Sequence, residues 1–262
     1  MIKSSRKAIL LAGGNGTRFA PISKVVNKHL FPIYNKPVFY YPLSILMLMG
    51  IKEILIVSQK NNCSNIKKII STINNLKIKI SYAFQEKPKG ITDGIKIAKK
   101  FIGKENFCLI LGDNFFYGPS LIQTLIKTNQ SNDNSIVTID FKNNKELGVL
   151  KYKNGEPIRI IEKPKKFIST KVVTGLYFYR NDVLKIINKI KPSKRKELEI
   201  TDLNNLLLKK NDLKISNLGR GTVWMDMGTP EMLAKTSEFV RILEDRSGLE
   251  IANLEEINKN LD

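Results

Sequence analysis

A glycine-rich turn and two distant acids are the residues whose types and spacing could do chemistry in this 262-residue chain. Gly13, Gly14 and Gly16 follow a short apolar run, and Thr17, Arg18 and Pro21 come next. Glycines after a strand let backbone N–H groups approach an anion closely, so the stretch reads as phosphate-binding. It is not a P-loop, which needs Lys-Ser/Thr after the last glycine where this chain has Thr17-Arg18. Nor is it the dinucleotide fingerprint, which needs a glycine where Phe19 stands. A plain strand-to-loop turn is the alternative. Asp113 closes "FCLILGD", and Asp226 lies far downstream in "WMDMG". Two carboxylates with phosphate oxygens make a hard-ligand Mg²⁺ site, whereas a single acid is ordinarily a helix cap or a solvated turn.

Composition removes other chemistries. His29 is the single histidine, which excludes multi-histidine metal sites and leaves little room for histidine-based catalysis. Cys63 and Cys108 are too few for a disulfide framework or a zinc site. The formal charge of +20 invites nucleic acid, but 36 of the 44 basic residues are Lys, scattered along the chain without a basic-aromatic stripe. Neither nucleic acid nor membrane is an expected partner, although the charge can attract small polyanions. The apolar run Ala8–Ala12 is too short for a secretory leader, and Val38–Ile51 contains Pro42 and Ser44 and is too short to span a bilayer. A cytoplasmic protein is the expectation.

The elements that must position these residues alternate. Strands are predicted over Lys7–Ala12, Glu53–Ser58, Lys79–Phe84, Phe107–Asp113 and Ser135–Phe141. Helices fall between them over Pro42–Gly50, Asn65–Asn74, Ile91–Ile102 and Ser120–Thr128. This rhythm predicts an α/β fold with a doubly wound, mostly parallel Rossmann-like sheet, whose ligands bind at the carboxyl ends of the strands. Asp113 falls at such an end. Further on, Leu147–Pro164 reads as a hairpin turning at Asn154–Gly155, and Lys171–Arg180 as another strand, which makes a small antiparallel subregion. Helices over Asn181–Ile190 and Asp202–Lys210, a strand over Lys214–Leu218 and a long helix from Pro230 to about Asp245 complete the reading.

The segment "LAGGNGTRFAPISKVVNKHLFPIYNKPVFYYPLSILMLMGI" resembles the signature of the sugar-phosphate nucleotidyltransferases, most nearly their glucose-1-phosphate thymidylyltransferase branch. "LGDNFFYG", "EKPK", "VTGLYFY", "ELEITDLN", "GRGTVWMDMGTP" and "LEEI" follow in the family's order, so the resemblance covers almost the whole chain. It implies one domain over residues 1–262: a nucleotide-binding part to about 140, a sugar-binding part from about 141 to 229, and a C-terminal helical tail. It also implies the joining of dTTP and α-D-glucose 1-phosphate into dTDP-glucose with release of pyrophosphate. UTP, CTP or another sugar 1-phosphate is the alternative within this chemistry. The sugar phosphate is already ionised near neutral pH, so the attack on the α-phosphorus needs positioning and positive charge rather than a base.

The resemblance assigns roles to residues of this chain. Arg18, Lys28 and Lys163 would be catalytic, with Arg18 and Lys28 on the triphosphate and Lys163 on the sugar phosphate. Leu11, Gly13, Gly14, Gly16, Thr17, Gln85, Gly90 and Asp113 would bind the nucleotide, Gln85 and Gly90 at the base. Gly148, Glu162, Val173, Tyr177 and Arg195 would bind the sugar phosphate, and Asp113 and Asp226 would hold Mg²⁺. A homo-oligomer is expected. The chain departs from the family at His29, where Gln is usual, and at Thr92 and Gly94, where small apolar residues are usual. It ends at Asp262, where longer members continue for a few helices, so feedback control is not carried over. Two readings of other classes stand against this one: a non-catalytic regulatory subunit of the same fold, and a basic nucleic-acid-binding protein.

Overall fold

The computed structural model describes residues 6–86, 89–193 and 196–261. From the N-terminus come β1 (Arg6–Leu11), a small hairpin of β2 (Pro32–Ile33) and β3 (Lys36–Pro37), then α1 (Tyr40–Leu48) and β4 (Glu53–Ser58). Next are α2 (Lys60–Ile70), β5 (Lys79–Phe84), α3 (Ile91–Ile102), β6 (Asn106–Leu111), β7 (Asn114–Tyr117), α4 (Leu121–Gln130) and β8 (Ser135–Asp140). The second half holds β9 (Gly148–Lys153), β10 (Glu156–Glu162), β11 (Lys171–Tyr179), α5 (Val183–Ile187) and α6 (Ile200–Lys209). It closes with β12 (Lys214–Asn217), β13 (Val223–Asp226), α7 (Pro230–Ser247) and α8 (Leu254–Lys259).

Nine strands form the main sheet, in the order β10-β9-β11-β6-β1-β4-β5, with β8 and β12 branching from β11. β6, β1, β4 and β5 are mutually parallel, and β11 and β10 run against their neighbours. Side-chain alternation explains the two layers. Ala8 and Leu10 of β1 face the core under α1, α2, α4 and α8, while Ile9 faces the core under α3, α5 and α6. Both faces are therefore covered, as the near-continuous apolar character of these strands requires. A third apolar cluster joins Phe115, Met227 and Val240, packing α7 beside the β7–β13 ribbon and the β2–β3 hairpin.

Buried Arg6 ties the two halves together. Its guanidinium donates to the carbonyls of Tyr179, Asn129, Ser131 and Asp133, fastening the start of β1 to the end of β11 and the loop before β8.

Several predicted bounds move. The helix expected over Asn65–Asn74 runs over Lys60–Ile70 instead, because its buried face begins at Asn62 and Cys63, one turn ahead of Ile66. The helix expected over Asn181–Ile190 shrinks to Val183–Ile187. β6 stops at Leu111, so Asp113 stands in the turn to β7 and not on the strand. The pair β7 and β13 was not predicted, and it positions both acids.

The hairpin turn is as predicted, with Asn154 and Gly155 both at positive φ, 52° and 81°. No atom lies within 4 Å of a Cβ built on Gly155, so a side chain there meets conformational cost alone. Gly155→Ala is expected to lower stability by about 1 kcal/mol in urea unfolding, the cost of left-handed backbone for an L-residue. An unchanged denaturation midpoint would show that the turn tolerates Ala freely.

Candidate active site

The carboxyl ends of β5, β1 and β6 border one crevice, where Gln85, Leu11 and Leu111 line its wall. Lys28 is held beneath the glycine loop. A Cβ on Gly14 would lie 3.4 Å from Lys28 Cε, and one on Gly16 would lie 3.2 Å from Lys28 Cβ. The bare backbone thus leaves a channel for the lysine stem. Asn27 secures this arrangement. Its Nδ2 donates to Gly14 O at 3.3 Å, and its Oδ1 accepts from the His29 N–H at 2.9 Å.

At the end of that stem Lys28 Nζ donates to Asp113 Oδ2. The two side chains keep only 13% and 14% exposure, so the pair is poorly screened by water. Burial works to lower the Lys28 pKa, but Asp113 and Asp226 override it and the ammonium is held charged, above its ordinary value. Burial likewise opposes ionisation of Asp113, and Lys28 reverses that effect, so this carboxyl lies below its ordinary range.

Asp226 reaches the same place from the far end of the chain. β13 pairs antiparallel with β7 so that Asp226 lies opposite Asn114, and the Met227 N–H donates to Asp113 O at 2.9 Å. Asn114, which sequence reasoning missed, organises this junction. Its Oδ1 accepts from Gly175 N at 2.9 Å and Trp224 Nε1 at 2.6 Å, while its Nδ2 donates to Asp113 Oδ1 at 3.2 Å. The only signal in the sequence is that Asn114 directly follows Asp113.

Among the described residues no cation bonds to Asp226, unlike Asp113. Burial and the negative charge of Asp113 push its carboxyl above the ordinary range, against Lys28 and Arg18. A Cβ on Gly228 would lie 3.0 Å from Asp226 Oδ1 and 3.5 Å from Arg18 Nη1, which locates the Arg18 guanidinium beside this acid. Two neighbouring carboxylates, one left short of positive charge, suit a divalent cation that takes further oxygens from a phosphate ligand. Among the described residues there is no cluster of three or more acids, Cys or His that could hold a metal unaided.

Two cavities meet at this junction. The first is lined by Leu11, Gly13, Gly14, Lys28, Gln85 and Gly90, together with Asp113. His29 lines it too, as a neutral ring: burial, then Lys28, lowers its pKa to about 3, and Nδ1 lies 2.6 Å from Asn27 Oδ1. The second cavity is lined by Gly148, Glu162, Val173 and Tyr177 with both acids. Ile91, Leu111 and Asp113 belong to both.

In the second cavity Thr201 Oγ1 donates to Glu162 Oε1, fixing one carboxylate oxygen, and a Cβ on Gly148 would lie 3.0 Å from that oxygen. Burial raises the Tyr177 pKa, so its hydroxyl stays protonated as a donor. Trp224 and Thr201 also line this cavity and were not singled out from sequence.

Other predicted residues lie at the margins. Lys163 Nζ donates to Glu146 Oε2 at 2.9 Å, and Glu146 lines the second cavity. Thr17 faces a separate polar cavity with Asn15, Ser23 and Lys24. Arg195 lies outside the described residues.

A family profile described as nucleotidyl transferase matches residues 7–242. The chain belongs to the nucleotidyl transferase family. It is 43% identical over 253 residues to glucose-1-phosphate thymidylyltransferase of Neisseria meningitidis, covering 96% of this chain and 88% of that relative. It is 38% identical over 252 residues to glucose-1-phosphate thymidylyltransferase of Mycolicibacterium smegmatis, covering 96% and 88%. Among solved structures it is similar to a Bacillus anthracis protein in complex with a sucrose, assigned provisionally as glucose-1-phosphate thymidylyltransferase. That similarity has a TM-score of 0.81 at 33% identity over 90% of this chain and 95% of the other. A UDP-glucose pyrophosphorylase complexed with UDP-glucose, at 24% identity and a TM-score of 0.79, shares the fold over 90% of this chain and 98% of its own. The transferase is thus a mostly parallel α/β protein, and no helix among its described residues is long and apolar enough to cross a membrane.

The acid pair carries a stability consequence. Because the folded protein holds a proton on Asp226 more tightly than the unfolded chain does, this group stabilises the metal-free fold at low pH. That contribution is lost as pH rises through the raised value. Asp226→Asn is therefore expected to raise the melting temperature in chelator at pH 8 by about 2–4 °C. The gain should shrink as pH falls through the raised value and vanish by the ordinary carboxylate range. A variant no more stable than its parent at pH 8 would remove the repulsion from the account.

Proposed function

We propose that this transferase joins dTTP to α-D-glucose 1-phosphate, forming dTDP-glucose and pyrophosphate. The observation that carries the proposal is the meeting of two cavities at Asp113, with Lys28, Arg18 and Asp226 at their junction. A bond made there joins a ligand of one cavity to a ligand of the other. The relatives named glucose-1-phosphate thymidylyltransferase support this choice of substrates.

The nucleotide occupies the first cavity, its base against Gln85 and Gly90 and its phosphates running from Gly13 and Gly14 toward Arg18. The sugar occupies the second, where Glu162 accepts from hydroxyls and Tyr177, Gly148 and Val173 shape the wall. A phosphate oxygen of the sugar phosphate attacks the α-phosphorus in line, and the bond to pyrophosphate breaks with its electron pair leaving on oxygen. No side chain takes a proton. Lys28 and Arg18 offset the charge that accumulates on the departing pyrophosphate. Lys163 exchanges Glu146 for the sugar phosphate, a small loss for an exposed ion pair. Arg195 adds charge on the same ligand.

Asp113 and Asp226 would hold Mg²⁺, which when bound draws the phosphates together and screens their repulsion. The reaction belongs in the cytoplasm, where nucleoside triphosphates are available. A non-catalytic role is disfavoured because Arg18, Lys28, Asp113, Lys163 and Asp226 are all retained.

A coupled pyrophosphate-release assay should show turnover that requires Mg²⁺, dTTP and glucose 1-phosphate together. Absence of turnover with every nucleoside triphosphate and hexose 1-phosphate tried would end the proposal. Lys163→Ala should raise KM for the sugar phosphate roughly tenfold or more, the worth of a charge-assisted hydrogen bond, and leave KM for dTTP within about twofold. Equal shifts in both constants would take Lys163 off the sugar phosphate.

A further inference from the structure

Gln85 has one allowed orientation, and Asp93 imposes it. The Gln85 side chain follows β5 and is 3% exposed, with its backbone N–H donating to Ser58 O at 2.9 Å. Its Nε2 donates to Asp93 Oδ2 at 2.8 Å. A carboxylate only accepts, so the amide nitrogen must face Asp93 and the carbonyl must face away. The carbonyl consequently points toward the glycine loop, where a Cβ on Gly13 would lie 2.5 Å from Oε1. Among the described residues nothing donates to Oε1, and Gln85 lines the first cavity beside Gly13 and Gly90. Asp93 itself stands in the first turn of α3, where the unpaired N–H groups of the helix favour a negative charge.

Orientation decides which base such an amide can read. Thymine and uracil donate at N3 and accept at O4, whereas cytosine accepts at N3 and donates from its 4-amino group. An amide free to invert pairs with either pattern, because its oxygen and nitrogen exchange places. An amide held from behind by a carboxylate cannot invert without setting its carbonyl against an anion. Its second N–H stays available to O4, so the held orientation matches thymine or uracil and opposes a carbonyl oxygen to the N3 lone pair of cytosine.

We infer that Asp93 sets the base specificity of this transferase, holding Gln85 so that pyrimidines donating at N3 are admitted and cytosine is refused. The inference rests on the proposed seating of the base against Gln85. Asp93 is a positioning residue, touching Gln85 and not the nucleotide. It does not separate thymine from uracil, which present the same two atoms.

Calorimetric titration of the intact chain with dTTP, UTP and CTP, each with Mg²⁺ and without sugar phosphate, tests this directly. The parent should bind dTTP and UTP within a few-fold of each other and CTP about tenfold or more weaker, the discrimination of one well-placed bidentate pair. Asp93→Asn, whose amide can donate or accept, should narrow the gap between dTTP and CTP to about threefold or less, chiefly by tightening CTP. Its circular dichroism and melting should match the parent. A purely structural role for Asp93 would weaken all three nucleotides alike and leave their ratio unchanged, which overturns the inference. Equal affinity of the parent for CTP and dTTP overturns it as well, and leaves the proposed function standing. Failure of all three triphosphates to bind overturns the proposed function and this inference together.

Discussion

The ammonium of Lys28 lies between a bare stretch of backbone and a shielded carboxylate, and the surrounding architecture serves to keep it charged there. Taken alone, neither partner belongs so far from water; together they hold each other ionised. Asp226 is the unbalanced third party, near enough to feel Asp113 yet with no bonded cation among the described residues. A site composed this way holds repulsion that a phosphate-bound cation relieves. Residues chosen for such work are commonly poor choices for the empty fold, which is the general trade between stability and activity.

Bringing Asp226 to Asp113 is a long-range problem, and the fold solves it with two four-residue strands set apart from the main sheet. Asn114 fastens that ribbon to β11 through Gly175 and to β13 through Trp224, so one amide fixes the acids relative to the second cavity. Apolar packing of Phe115 and Met227 against α7 supports it from behind. The acids are thus borne by short strands anchored on one side by hydrogen bonds and on the other by the core.

The parallel sheet was legible because its strands are continuous apolar runs between breakers. Glu53–Ser58 and Lys79–Phe84 end where they were predicted to end, as does the helix Ile91–Ile102 between Gly90 and Gly103. α2 was displaced because Asn62 and Cys63 share its buried face, which a count of aliphatic residues overlooks. β7 and β13 escaped notice because each is short and has its partner far away in sequence. The same contrast holds for the site. Glycines after β1 and an acid near the end of β6 advertise themselves, whereas Lys28 and Lys163 are two of 36 lysines and stand out only through resemblance. Thr201 and Asp93 act through partners that folding alone supplies, so local pattern carries no trace of them, and Asn114 is marked only by its place after Asp113.

Ile91, Leu111 and Asp113 form a common wall between the two cavities. Anything long enough to straddle that wall excludes both starting materials simultaneously. Under the proposed function the finished nucleotide sugar would straddle that wall, so it would have to depart whole before either seat could be refilled.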